Sequence, residues 1–127
     1  MLDKKVINDW VDSGPTTQLI AKVEEFGRGL KHNKLTTSQI RQVFTRLKSI
    51  EAKGIQRHQT EFLMLKPYIS YAASRSNARG LQDLKKAMDI GIDKVMEDPQ
   101  NALKTRFDNF CSLFEAVLAY HKAEGGN

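Results

Sequence analysis

The chain has 127 residues, 40% of them hydrophobic and 28% charged, with 20 Lys plus Arg against 15 Asp plus Glu and a formal net charge of +5. That length fits one domain that can bury a core without a disulfide or a metal, and the mixture of apolar and charged side chains argues against general disorder. The longest apolar stretches, such as Phe62 to Leu65, fall far short of the roughly 20 residues that cross a bilayer, and no apolar segment follows Lys4 and Lys5 as a secretory signal would require. A cytoplasmic protein with no membrane partner is therefore expected. Cys111 is the single cysteine, which excludes an internal disulfide and a Cys-rich zinc site.

No apolar-polar alternation around a tight turn predicts a strand, and helical spacing recurs in its place. Residues 1 to 15 form an N-terminal segment without an assigned role, in which Trp10 is expected to pack into the core. Leu19, Val23, Phe26 and Leu30 then mark one face of a helix that starts near Pro15. Thr36 with Gln39 three residues later reads as a capping box, followed by the stripe Ile40, Val43, Phe44, Leu47 and Ile50 and a stop at Gly54. The region from His58 to Arg79 is apolar around much of its circumference and should lie centrally, with a kink or break just before Pro67. From Gly80, Leu81, Leu84, Met88, Ile92 and Val95 repeat at helical spacing, with Gly91 as a soft point. Asp98-Pro99 reads as an N-cap and first helical position. The last helix carries Leu103, Phe107, Phe110, Phe114, Val117 and His121, and Gly125-Gly126 closes it. The expectation is an all-α, five-helix bundle forming a single domain over residues 1–127. Phe107, Phe110, Phe114 and Leu118 should face inward, and His121 should pack or hydrogen-bond inside the bundle.

Charge divides unevenly along this pattern. Residues 35–80 hold 8 basic groups opposed only by Glu51 and Glu61, whereas residues 1–34 and 81–127 are close to neutral. An acidic partner, nucleic acid first among them, suits such a surplus, and a solvated basic face is the alternative. Catalytic chemistry has little to work with. His32, His58 and His121 lack carboxylates at metal-ligand spacing, Cys111 sits beside Phe110 on an apolar helix, and no P-loop, dinucleotide fingerprint or nucleophile elbow occurs. No enzyme, cofactor or metal is expected.

On a helix over residues 37–53, Arg41, Thr45 and Lys48 form a stripe fit to follow phosphates, while Arg46 and Lys53 fall on the opposite flank. Tyr71, Arg75 and Arg79 follow at steps of four, a ladder that could offer one stacking surface and two phosphate forks, but Tyr71 is expected in the core, with its hydroxyl reaching a partner at the edge, ahead of the stacking role. The candidate RNA-binding residues are Arg41, Lys48, Lys53, Lys66, Arg75 and Arg79. Lys85, Lys86 and Lys94 are interleaved with carboxylates and are not expected to join them.

Three stretches, LTTSQIRQVF (35–44), FLMLKPYISYAASR (62–75) and FCSLFEAVLAYHKAEGG (110–126), together resemble the small helical subunit of type III-A CRISPR-Cas (Csm) effector complexes over roughly residues 15 to 127. The resemblance implies a non-catalytic subunit of an antiviral ribonucleoprotein. Several copies would stack as a minor filament beside the filament that carries the guide RNA, and their basic faces would contact the guide and target RNA backbone. Cleavage of target RNA would belong to the other filament, and DNA cleavage and cyclic oligoadenylate synthesis to the large subunit. By position, the resemblance points to Arg41, to Lys66 ahead of the proline, and to Arg75. Implied partners are guide RNA, target RNA, the other subunits and further copies of the chain, with a homodimer of the isolated protein as an option. Two other readings stay open: a helix-turn-helix DNA-binding protein that reads bases from residues 37–53, and a helical adaptor that binds only protein.

Overall fold

The computed structural model of the chain describes residues 2–125. Among these, helices and turns make up the regular structure and there is no strand. Helix ends follow local chemistry. Thr16 caps α2 (Thr17–His32), its hydroxyl accepting from the Leu19 amide. Thr36 and Gln39 form the reciprocal capping box of α3 (Thr37–Lys53), with bonds of 3.0 and 3.1 Å. Gly54, at φ 96°, ends α3 and leads into a 3-10 turn, Ile55–Arg57.

The expected count of five helices is too low: seven α-helices occur among the described residues. One addition is α1 (Lys4–Ser13), in the segment left without a role. It buries Ile7, Trp10 and Val11 against α6 and α7. The Trp10 indole donates to the Ser112 hydroxyl at 3.0 Å, and Arg106 donates twice to one carboxylate oxygen of Asp12. Ten residues are too few to hold a helix alone in water, so α1 depends on this packing. The other addition divides the third region. α4 (Gln59–Leu63) and α5 (Leu65–Ser74) separate at Met64, and Pro67 is the third residue of α5.

That third region does not occupy the centre, as its composition suggested. α5 packs mainly on α6 (Arg79–Val95), and Leu63, Met64 and Tyr71 stay exposed. The central element is α7 (Leu103–Ala123), which meets α1, α2, α3, α6 and the 3-10 turn. Its start also differs from expectation. Residues 96–102 form turns, with the Asp98 carbonyl accepting from the Ala102 amide and the Asp98 carboxylate from the Asn101 side chain, so Asp98-Pro99 shapes a turn and α7 begins four residues later.

The rings expected inside are inside. Phe107, Phe110 and Phe114 are buried and Leu118 is partly buried against them. Phe62 meets Phe107 and Phe110 edge-on, with centroids 5.2 and 5.1 Å apart, and Phe110 tilts against Phe114 at 4.7 Å. Such pairs add about 0.5 to 1.5 kcal/mol each beyond area burial. Gly91 is a contact point rather than a soft spot, because a Cβ there would lie 2.6 Å from a ring carbon of Phe110. His121 is fully buried, its Nε2–H donating to the Leu35 carbonyl and tying α7 to the α2–α3 loop. Gly125 follows the last helix, and Gly126 lies outside the described residues.

Candidate nucleic-acid interface

α3 turns Ile40, Val43, Leu47 and Ile50 inward, so the residues between them must face solvent or a neighbouring helix. α5 does the same with Leu65, Ile69 and Ala73, which leaves Tyr68 and Tyr71 on the side towards α3 or solvent. A groove runs where these two faces meet. Its wider part, about 510 Å³, is open to solvent and lined by Arg41, Gln42, Thr45, Arg46 and Tyr68. A narrower recess of about 320 Å³ adjoins it through Gln42 and Tyr68 and reaches Tyr71 and Arg75.

Aromatic and guanidinium groups organise the groove. The Arg46 guanidinium lies on the face of Tyr68, 3.8 Å from the ring centre, and the Tyr68 hydroxyl donates to the Gln42 carbonyl at 3.4 Å. A guanidinium held on a ring by stacking keeps its N–H groups available for an oxyanion. Arg75 donates to the Tyr71 hydroxyl at 3.2 Å. Tyr71 is 63% exposed, which overturns the core position expected for it: α5 already fills the core with Ile69 and Ala73, and position 71 falls on the opposite side. The ladder does not continue to Arg79. α5 ends at Ser74, and Arg79 is the exposed first residue of α6.

The six candidate cations fall into two groups. Lys48, Lys53 and Lys66 each have a carboxylate partner: Glu51 at 2.9 Å, Glu61 at 3.4 Å and Asp93 at 2.6 Å. The bonded carboxylates of Glu51 and Asp93 raise the pKa values of Lys48 and Lys66. None of these three lines the groove. Lys48 leans over Phe44 on the other flank of α3, and Lys66 is turned to α6. Among the described residues, Arg41, Arg75 and Arg79 have no carboxylate partner, and neither do Arg46 and Arg57. The middle of the chain thus neutralises lysines and leaves arginines free. Of the control set, Lys85 and Lys94 pair with Asp89 and Glu97.

Arg46 was misplaced by sequence reasoning, which put it on a separate flank; it lines the same recess as Arg41 and Thr45. Helical phase separates Arg46 from Arg41, and only the arrival of α5 beside α3 closes the space between them. Gln42 and Tyr68 were missed for the same reason, being 26 residues apart and joined only by tertiary packing.

Other chemistry is sparse. Burial pushes the Cys111 thiol strongly up, the reverse of what a nucleophile needs. Among the described residues, no group of three or more His, Cys, Asp or Glu could hold a metal ion and no helix is long and apolar enough to cross a membrane. No curated protein and no solved structure matches the chain. The model of the Csm2 Type III-A family matches residues 13–127, which takes in every helix of the groove and leaves out all of α1 but Ser13. The chain belongs to the Csm2 Type III-A family, as a small subunit of type III-A CRISPR-Cas Csm complexes.

Proposed function

We propose that this chain is a non-catalytic scaffold of a cytoplasmic antiviral ribonucleoprotein, and that its α3–α5 groove contacts the backbone of guide or target RNA. Several copies stack along the complex as a minor filament. The observation that carries the RNA contact is the set of arginines at the groove, Arg41, Arg46 and Arg75, none of them neutralised by a carboxylate among the described residues. Arginine forks bind phosphate in two-bond geometry, and a groove with several of them follows a backbone without reading bases. Arg79 extends the same charge at the start of α6. Lys48, Lys53 and Lys66 contribute less, because an RNA phosphate must first compete with their carboxylates.

The helix-turn-helix reading has less support. That motif packs its first helix directly on the recognition helix, but α2 packs chiefly on α7, and α3 on α7, α4 and α5. The Gln39 carbonyl accepts in the capping box and the Gln42 carbonyl accepts from Tyr68, so neither side chain presents the free carbonyl-and-amide edge that two-bond recognition of adenine requires. Titration of single-stranded RNA, an RNA duplex and duplex DNA at several salt concentrations tests the proposal. RNA binding that weakens steeply with salt and ignores sequence is expected. A DNA sequence preference would favour the reader, and salt-independent behaviour with no RNA bound would favour the protein adaptor.

A further inference from the structure

Tyr68 and Tyr71 lie three positions apart on α5 and are treated differently. Tyr68 is half-buried, and its ring face is occupied by Arg46 at 3.8 Å. Tyr71 is 63% exposed. The guanidinium of Arg75 lies over the ring at 5.6 Å from its centre and bonds the hydroxyl, a looser contact than the 3.8 Å of Arg46 on Tyr68, so most of the Tyr71 ring stays in water. An aromatic ring exposed to this extent is costly to leave in water and is the kind of surface on which a nucleobase stacks.

The surroundings supply the remaining groups. The recess beside Tyr71 measures about 320 Å³, at the lower end of small-ligand sites and room enough for a single base. Gln42, at its rim, accepts from Tyr68 through its carbonyl, and its amide N–H groups have no partner among the described residues. Ser76 and Gln39 also line the recess, but the Gln39 amide donates to the Ser76 hydroxyl at 3.4 Å, so this pair shapes the wall. Arg75 is anchored by one N–H on the Tyr71 hydroxyl, which fixes its fork next to the ring with further donors free.

Resting on the RNA-binding reading above, we infer that this recess is a site for one unpaired nucleotide of single-stranded RNA, with its base stacked on Tyr71, its edge towards Gln42 and its phosphate on Arg75. A paired base keeps its faces inside the duplex and cannot use this site. The groove then has two functions: Arg41 and Arg46 follow a backbone of either kind, whereas Tyr71 responds only where a base is free.

The test compares the full-length wild type with Tyr71→Ala, Tyr71→Phe and the double variant Arg41→Glu/Arg46→Glu. Ligands are a single-stranded RNA carrying one 2-aminopurine and the same strand annealed to its complement. All four proteins should have similar melting curves, since the altered side chains are at the surface. Expected are quenching of 2-aminopurine by wild type on the single strand, and a loss of single-strand affinity of about 5- to 150-fold in Tyr71→Ala. Tyr71→Phe should bind single strands more tightly than Tyr71→Ala, because it keeps the stacking ring and loses only the hydroxyl that anchors Arg75. Duplex affinity should not change in either Tyr71 variant. Equal losses on both ligands, or no loss in Tyr71→Ala while Arg41→Glu/Arg46→Glu abolishes binding, would overturn the nucleotide site and leave the RNA groove standing. Failure of the wild type to bind either RNA at low salt would overturn both.

Discussion

Between α4 and α7 the ring of Phe62 meets Phe107 and Phe110 edge-on and the three are buried, whereas on the α3–α5 face one tyrosine ring lies closely under a guanidinium and the next is mostly exposed. Both regions are aromatic, and both are built by helices crossing in the same bundle. They differ in what surrounds the rings. The seam offers only hydrocarbon, so burial supplies its free energy and any change of volume is felt at once. Around the groove are arginines and glutamines, whose donors are well solvated and gain little from folding. Side chains of the groove can therefore change with small effect on stability, and those of the seam cannot.

The sharpest break of this contrast is Phe110→Ala. Phe110 is fully buried and touches Phe62, Phe114 and the space above Gly91. The substitution is expected to cost about 3 to 5 kcal/mol, a large part of the roughly 5 to 15 kcal/mol that holds a domain together. Thermal melting would show it as a much lower midpoint. A melting curve like that of wild type would mean that the seam is not the core of the fold.

Gly91→Ala approaches the same seam from α6 by adding a single carbon. The new methyl meets the Phe110 ring at 2.6 Å, and the ring is confined by Phe62 and Phe114. Overpacking of this kind costs about 1 to 3 kcal/mol. Urea unfolding should give a lower midpoint with an unchanged slope, and RNA affinity of the folded protein should stay as it was.

The groove is expected to behave in the opposite way. Arg41→Glu and Arg46→Glu should leave the melting temperature nearly unchanged while lowering RNA affinity, and each lost phosphate contact should reduce the slope of log affinity against log salt by about 1. Lys85→Glu and Lys86→Glu on α6 serve as the comparison, since Lys85 already pairs with Asp89 at 2.8 Å. Binding measured by fluorescence anisotropy should separate the two pairs clearly. Equal losses would remove the distinction between the basic face and the α6 face.

The smallest effect concerns Cys111, at the edge of the seam. Burial holds its thiol pKa far above the value of about 8.5 for an unfolded cysteine, with Glu51 pushing in the same direction. The unfolded chain therefore loses this proton first. Stability from the neutral thiol is complete below about pH 8.5 and declines as pH rises beyond it. Wild type should lose slightly more stability than Cys111→Ala between about pH 7 and about pH 10. Iodoacetamide should modify the native protein only as fast as it unfolds.

How much of this was legible in the sequence depended on the range of the interaction. The Thr36–Gln39 box, the stop at Gly54 and the inward face of α7 were all readable, because each is decided within one or two helical turns. The start of α7 was misread where Asp98 had two local uses, a helix cap or a turn, and the turn prevailed. α1 was overlooked because a helix of 10 residues draws its stability from helices some hundred positions away. The basic surplus of residues 35–80 was visible as a count, but the count did not show which cations keep their charge available.

By itself, the sequence determined an all-helical chain, an apolar last helix, a basic middle and a resemblance that the family match bears out. These follow from composition and from periods of three and four residues, which are properties of the chain taken a few residues at a time. Tertiary structure alone decided that α7 and not the third region is the centre, that Lys48, Lys53 and Lys66 are paired, and that Arg46 joins Arg41 beside Tyr68. The physical reason is that the exposure and free charge of a side chain depend on what the neighbouring helix brings to it. Asp93 reaches Lys66 across 27 positions, and α5 brings Tyr68 over Arg46 only once both helices have docked on the core.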